Sequence, residues 1–199
     1  KASNPGNWKV FWLAPTVMLA NVVSAATIES ISTFFPLYGQ ELGLDNHLAL
    51  GLMTIIGVGG MALALPLSWI ADHVNRLSMF LVCILLTMAG LLLMPAMVAI
   101  PWVSGVFVFV FGGVSGMIYT LGVVLIGEQF KGAMLATATT AFTAAWGTGS
   151  VIGPLLVGAG MDWFGTEYMA LILFAIFIPF LPFPVINWAR SLKQRSSNQ

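Results

Sequence analysis

The sequence predicts an all-α membrane protein of six transmembrane helices, and three observations carry that prediction. Of its 199 residues, 59% are hydrophobic and only 7% charged, against roughly 25% charged in soluble domains, and the mean hydropathy is +0.97. The apolar residues fall in runs long enough to cross a bilayer, for which about 20 are needed. In a six-span arrangement, every basic residue lies on one side. A water-soluble globular domain is excluded. Seven Lys or Arg balance seven Asp or Glu, so there is no electrostatic footprint for a nucleic-acid partner.

Runs bounded by charge, Pro or Gly place the helices at about 10–36, 48–71, 78–99, 102–127, 133–160 and 168–189. The first is no signal peptide: it is too long, carries Asn21 and Glu29, and is followed by five more spans. The second is rich in glycine at 57, 59 and 60 and closes on Pro66-Leu-Ser-Trp-Ile-Ala-Asp72. In the third sits Cys83, which as the lone cysteine can form no intrachain disulfide. Gly112, Gly113, Gly116 and Gly122 flank Tyr119 and Thr120 in the fourth; such small residues permit close helix crossing. The fifth carries Gly147, Gly149, Gly153 and Gly158 and closes on Pro154-Leu-Leu-Val-Gly-Ala-Gly-Met-Asp162. Pro154 is expected to kink it, and Pro179, Pro182 and Pro184 to distort the sixth, because proline removes a backbone donor.

An even number of spans puts both termini on one side. With them lie Lys1, Lys9, Arg76, Lys131, Arg190, Lys193 and Arg195, while the opposite loops hold Glu41, Asp45, Asp162 and Glu167. The positive-inside rule assigns the basic side to the cytoplasm, and hence the chain to an inner membrane. Residues 1–9, opening Lys-Ala-Ser-Asn-Pro-Gly, read as the remnant of an interior linker, 10–189 as the bundle and 190–199 as a cytoplasmic tail. Trp8, Trp12, Trp69 and Trp188 fall near inner ends, and Tyr38, Trp102 and Trp163 near outer ends, as interfacial aromatics do. Trp146 falls near mid-span, where its indole N–H needs a partner or a water-filled cavity. The Asp-terminated, glycine-rich second and fifth spans end on opposite sides, as a 3+3 inverted repeat requires.

Between the second and third spans, Ser68-Trp-Ile-Ala-Asp72-His-Val-Asn-Arg76 resembles the loop motif of the major facilitator superfamily, Gly-x-x-x-Asp-Arg-x-Gly-Arg-Arg. Asp72 and Arg76 match its polar positions; Ser68, His73, Asn75 and Leu77 depart from it. Glu29 before Pro36-Leu-Tyr38-x-x-x-x-Gly43, and Gly149-x-x-x-Gly153-Pro154-x-x-x-Gly158 before Asp162-Trp-Phe-Gly165, add to the resemblance. Together they resemble the C-terminal six-helix half of a bacterial facilitator, closest to the YcaD-like group. The resemblance implies half of a facilitator fold, with solute bound near the midplane against a second six-helix half. That half would lie in the same polypeptide, in a separate chain or in a homodimer. Asp72 would then serve as a gate latch, with Arg76 anchoring to neighbours or lipid phosphate; a helix cap and a positive-inside charge are their plainer roles.

Glu29 is the one ionisable side chain placed well inside a span, which makes it a functional candidate by default. Asn21, Ser24, Ala25, Ile28, Glu29 and Ser32 follow spacings of three and four and share a face. Desolvation disfavours a charged carboxylate, so Glu29 is the expected proton carrier of an alternating-access cycle, with a neutral hydrogen-bonded acid as the alternative. Asn21, Glu29, Tyr119 and Trp146 are the candidates for lining a central cavity. The eleven Met residues include no Met-x-x-x-Met pair and read as packing, and His47 and His73 lie in opposite loops. Neither a cofactor nor a metal is implied, no catalytic constellation occurs, and an enzyme is not expected. The reading is a proton-coupled secondary transporter half in a lipid bilayer, its small-molecule substrate unknown; the rival is a non-transporting scaffold that stabilises a partner.

Overall fold

The computed structural model describes residues 15–186. The predicted first residues of span one, the last of span six, Trp8, Trp12, Trp188 and all basic residues except Arg76 and Lys131 lie outside that range. Five long helices come first: α1 (Pro15–Glu41), α2 (Asn46–His73), α3 (Arg76–Val98), α4 (Pro101–Gln129) and α5 (Ala133–Phe164). A short turn at Thr166–Tyr168 leads into α6 (Met169–Phe177). Six helical segments, the last running Thr166–Ile186, are long and apolar enough to cross a membrane. The chain is a multi-pass, all-α membrane bundle.

The elements outrun their predicted ends. α1 continues past Pro36 to Glu41, because membrane helices tolerate the one backbone bond a proline removes. α5 runs to Phe164 and takes Asp162 into its last turn, where a loop residue was expected. There Gly165 stops it at φ 112°, its N–H meeting the Met161 carbonyl at 2.9 Å, a conformation that suits glycine. Pro154 sits inside unbroken α5. The prolines of the sixth span do distort it: regular helix ends at Phe177, residues 178–181 are turns, and 182–186 are helical again.

Packing reproduces the inverted repeat. The two most extensive helix pairs are α2 with α4 and α1 with α5, and exchanging helices 1–3 with helices 4–6 converts one pair into the other. Both crossings are backbone-close. A Cβ added at Gly59 would overlap the Phe109 carbonyl oxygen, and one at Gly112 the Ile56 carbonyl oxygen. At the second crossing, Gly149 faces the Val22 carbonyl and Gly153 the Ala26 backbone. α3 packs on α4 and α6, and the main core, which includes Phe35, Tyr38, Phe80, Leu91, Met94, Phe111, Ile118 and Phe177, draws residues from all six helices. A smaller core of Val17, Met18, Ile126, Phe130 and Phe142 closes the end that carries Arg76 and Lys131.

Candidate functional site

The first half of α5 is where the bundle is both open and polar, while its second half exposes Val151, Ile152, Leu155 and Leu156. α5 has the lowest hydropathy of the six spans, yet only 33% of its most apolar stretch is buried. Thr139, Thr140, Thr143 and Thr148 are exposed along it. Each hydroxyl donates to the carbonyl four residues back, at 2.9, 3.0, 3.1 and 2.9 Å respectively, so no donor is stranded. The opposite case is α3, the most hydropathic span, whose exposed residues include Val82, Leu85, Leu86, Leu92 and Leu93. A face of leucines suits hydrocarbon, and a face of hydroxyls suits water or protein.

On the open side the structure brings three of the four predicted cavity residues together around Phe142. Asn21 is buried, and its Nδ2 donates to the Phe142 carbonyl at 2.6 Å, tying α1 to α5; its Oδ1 meets no partner among the described residues. The Tyr119 ring lies 5.3 Å from that of Phe142 and 4.8 Å from that of Trp146, edge-on to the latter. Tyr119 is exposed and Trp146 half-buried, so the two rings form an aromatic corner on the accessible side, with Asn21 sealed behind it.

Glu29, the fourth, stands eight residues along α1 from Asn21, about 12 Å at 1.5 Å per residue. It is half-buried, and among the described residues its carboxylate meets neither a cation nor a hydrogen-bond donor. The predicted polar track is therefore divided. Asn21 and Ser24 face inward, fully buried. Ser32 lines a cavity of about 290 Å³ among α1, α2 and α4, together with Ile28, Met53, Gly57, Gly60 and Ser115. Glycine at 57 and 60 leaves room for that cavity where larger side chains would fill it.

At the other end of the bundle Arg76 joins three elements. Its guanidinium meets Asp72 Oδ1 at 2.8 Å across the α2–α3 turn and Glu128 Oε1 at 2.5 Å from the last turn of α4. All three are partly exposed and border a cavity of about 490 Å³. Asp72 is not a helix cap: the cap of α3 is Asn75, whose Oδ1 accepts from the Leu77 and Ser78 amides at 3.0 and 3.1 Å. Asn75 counted as a departure from the loop motif, yet it makes the turn. His73 Nδ1 lies 2.7 Å from the Trp69 carbonyl, its ring against the Trp69 ring. Glu128 stands at a helix end, where a charge looks ordinary; its one signal in the sequence is its place on the same side as Arg76.

Residues 17–196 match the family model of the Major Facilitator Superfamily. The chain belongs to that superfamily. Membership, together with six apolar spans, makes this facilitator a multi-pass membrane protein with a transporter-type function. The match is to the superfamily as a whole, not to the YcaD-like group. No curated protein matches the chain.

Proposed function

We propose that this facilitator chain forms one half of a secondary active transporter that moves a small solute by alternating access. A second six-helix half, in the same polypeptide, a separate chain or a second copy, covers the open flank of α5 and α2. The observation that carries this reading is the polar open flank itself. Four exposed hydroxyls with an aromatic corner beside them, on the span of lowest hydropathy, suit a solute path.

Glu29 couples the cycle to protons. An ionisable group inside a span with no fixed partner is free to take a proton on one side and release it on the other. Arg76, held between Asp72 and Glu128, latches the α2–α3 turn to the end of α4 in one conformation. The greater number of basic residues on that side orients it to the cytoplasm of a bacterial inner membrane, with both termini there.

In membrane vesicles with an imposed pH gradient, Glu29→Gln should abolish gradient-driven accumulation of the solute while leaving exchange across the membrane intact. Wild-type accumulation by the variant would remove Glu29 from the coupling step.

A further inference from the structure

Thr139, Thr143, Trp146 and Ser150 recur along α5 at spacings of four, three and four, so they share one face. Tyr119 of α4 stands against the Trp146 ring on that face. Every hydroxyl proton in the stripe is already committed. Thr139 donates to the Leu135 carbonyl at 2.9 Å, Thr143 to the Thr139 carbonyl at 3.1 Å and Ser150 to the Trp146 carbonyl at 2.8 Å. What these oxygens still offer is lone pairs, so toward a solute they act only as acceptors. Asn21 of α1, whose Nδ2 holds the Phe142 carbonyl of α5, carries a further acceptor, Oδ1, which is buried and meets no partner among the described residues.

We infer that this stripe and its aromatic corner hold the N–H end of a protonated amine, so that the solute is an alkyl- or arylalkylammonium monocation. The inference rests on the transport reading above. Three properties of the site converge on it. Outward lone pairs can accept from a donor, and an ammonium supplies up to three. Tyr and Trp rings attract a cation over their faces. Among the described residues no Lys, Arg or His lies within the middle of a span, and the one carboxylate there is that of Glu29. The corner keeps two neutral donors, the Trp146 indole N–H and the Tyr119 hydroxyl, which suit an oxygen on the body of the amine. It has no positive group to hold an anion. An N–H-bearing cation is distinguished from a quaternary one because only the former reaches the hydroxyl lone pairs.

The test is equilibrium binding of radiolabelled 2-phenylethylammonium to the purified full chain, with three competitors of the same shape: its N,N,N-trimethyl analogue, 2-phenylethanol and 3-phenylpropanoate. The ammonium should bind at least about tenfold tighter than the alcohol or the carboxylate, and several-fold tighter than the quaternary form, as charge-assisted hydrogen bonds require. The double variant Thr139→Val, Thr143→Val keeps the side-chain shape and removes the lone pairs. It should bring the ammonium and quaternary forms to equal affinity at an unchanged melting temperature, and Trp146→Leu should weaken both. No ammonium binding, equal binding of alcohol or carboxylate, or full ammonium preference in the double variant would each overturn the inference. Selective ammonium binding with neither uptake nor exchange across the membrane would instead overturn the transport reading and leave the site's chemistry standing.

Discussion

α3 and α5 are both incompletely buried, 50% and 33% of their most apolar stretches respectively, but they meet different surroundings. α3 shows the outside Leu and Val, and its hydroxyl Thr87 is buried. α5 turns its threonines out and its small residues Gly149 and Gly153 in, against α1. The C-terminal half of α5, with Val151, Ile152, Leu155 and Leu156 exposed, resembles α3; in the proposed transporter α3 and that half are walls against lipid, and the threonine-bearing half of α5 is a lining. Exposure alone does not separate the two roles; the chemistry of what is exposed does.

The largest effects should come from the crossings that fix these two helices in the bundle. Gly112→Leu forces side-chain atoms into the Ile56 carbonyl, which belongs to the α2 backbone and cannot yield. A loss of more than about 3 kcal/mol is expected for such overpacking, read as a collapsed melting temperature in detergent. By contrast Gly147→Leu, on the open face of α5 with nothing near its Cβ position, should melt like the parent chain. If Gly112→Leu melts like Gly147→Leu, the α2–α4 crossing does not depend on the close approach at Gly112.

Next in size is the contrast between wall and lining. Leu86→Asp puts a carboxylate on the lipid face of α3 and should cost insertion about 3 kcal/mol. Thr143→Asp on α5 should cost far less, because water or the second half covers it. Membrane-insertion efficiency of the two variants checks this directly, and equal penalties would make α5 a second lipid wall.

The smallest thermodynamic effect belongs to Arg76. Its partners are exposed, so Arg76→Ala should leave the melting temperature within a few degrees of the parent, as exposed ion pairs contribute little. Transport rate should nonetheless fall, and Glu128→Gln should reproduce that fall. Parent-like transport in both variants would reduce the trio to decoration of a turn.

Much of the bundle was legible because hydrocarbon imposes a length and a composition on whatever crosses it. The six spans and the side on which Arg76 and Lys131 lie follow from that constraint alone. Their ends were less legible. Pro36 and Asp162 look like helix stops, but a bilayer penalises an unpaired backbone more than it penalises a single missing bond, so α1 and α5 run through them. Of the site, Asn21, Tyr119 and Trp146 stood out as polar or amphipathic groups inside apolar runs, and their meeting at Phe142 gives them a common location. The division of the polar track was hidden, since spacing of three and four puts residues on one face without saying what that face meets farther along a helix. The Arg76–Glu128 pair joins residues 52 positions apart, a separation no local pattern reveals.

The α2–α4 crossing has a further property. Gly59 points at the carbonyl of Phe109 and Gly112 at that of Ile56, and each carbonyl lies three residues before the glycine on its own helix. The contact therefore has a local twofold axis. In place of each missing Cβ an α-hydrogen faces an oxygen, the geometry of a Cα–H···O contact, for which about 0.5–1 kcal/mol is typical. Two such contacts, reciprocal and directional, resist rotation of one helix about the other as well as separation. α2 and α4 are thereby joined into one stiff strut, and in the proposed alternating-access cycle they would move as a unit.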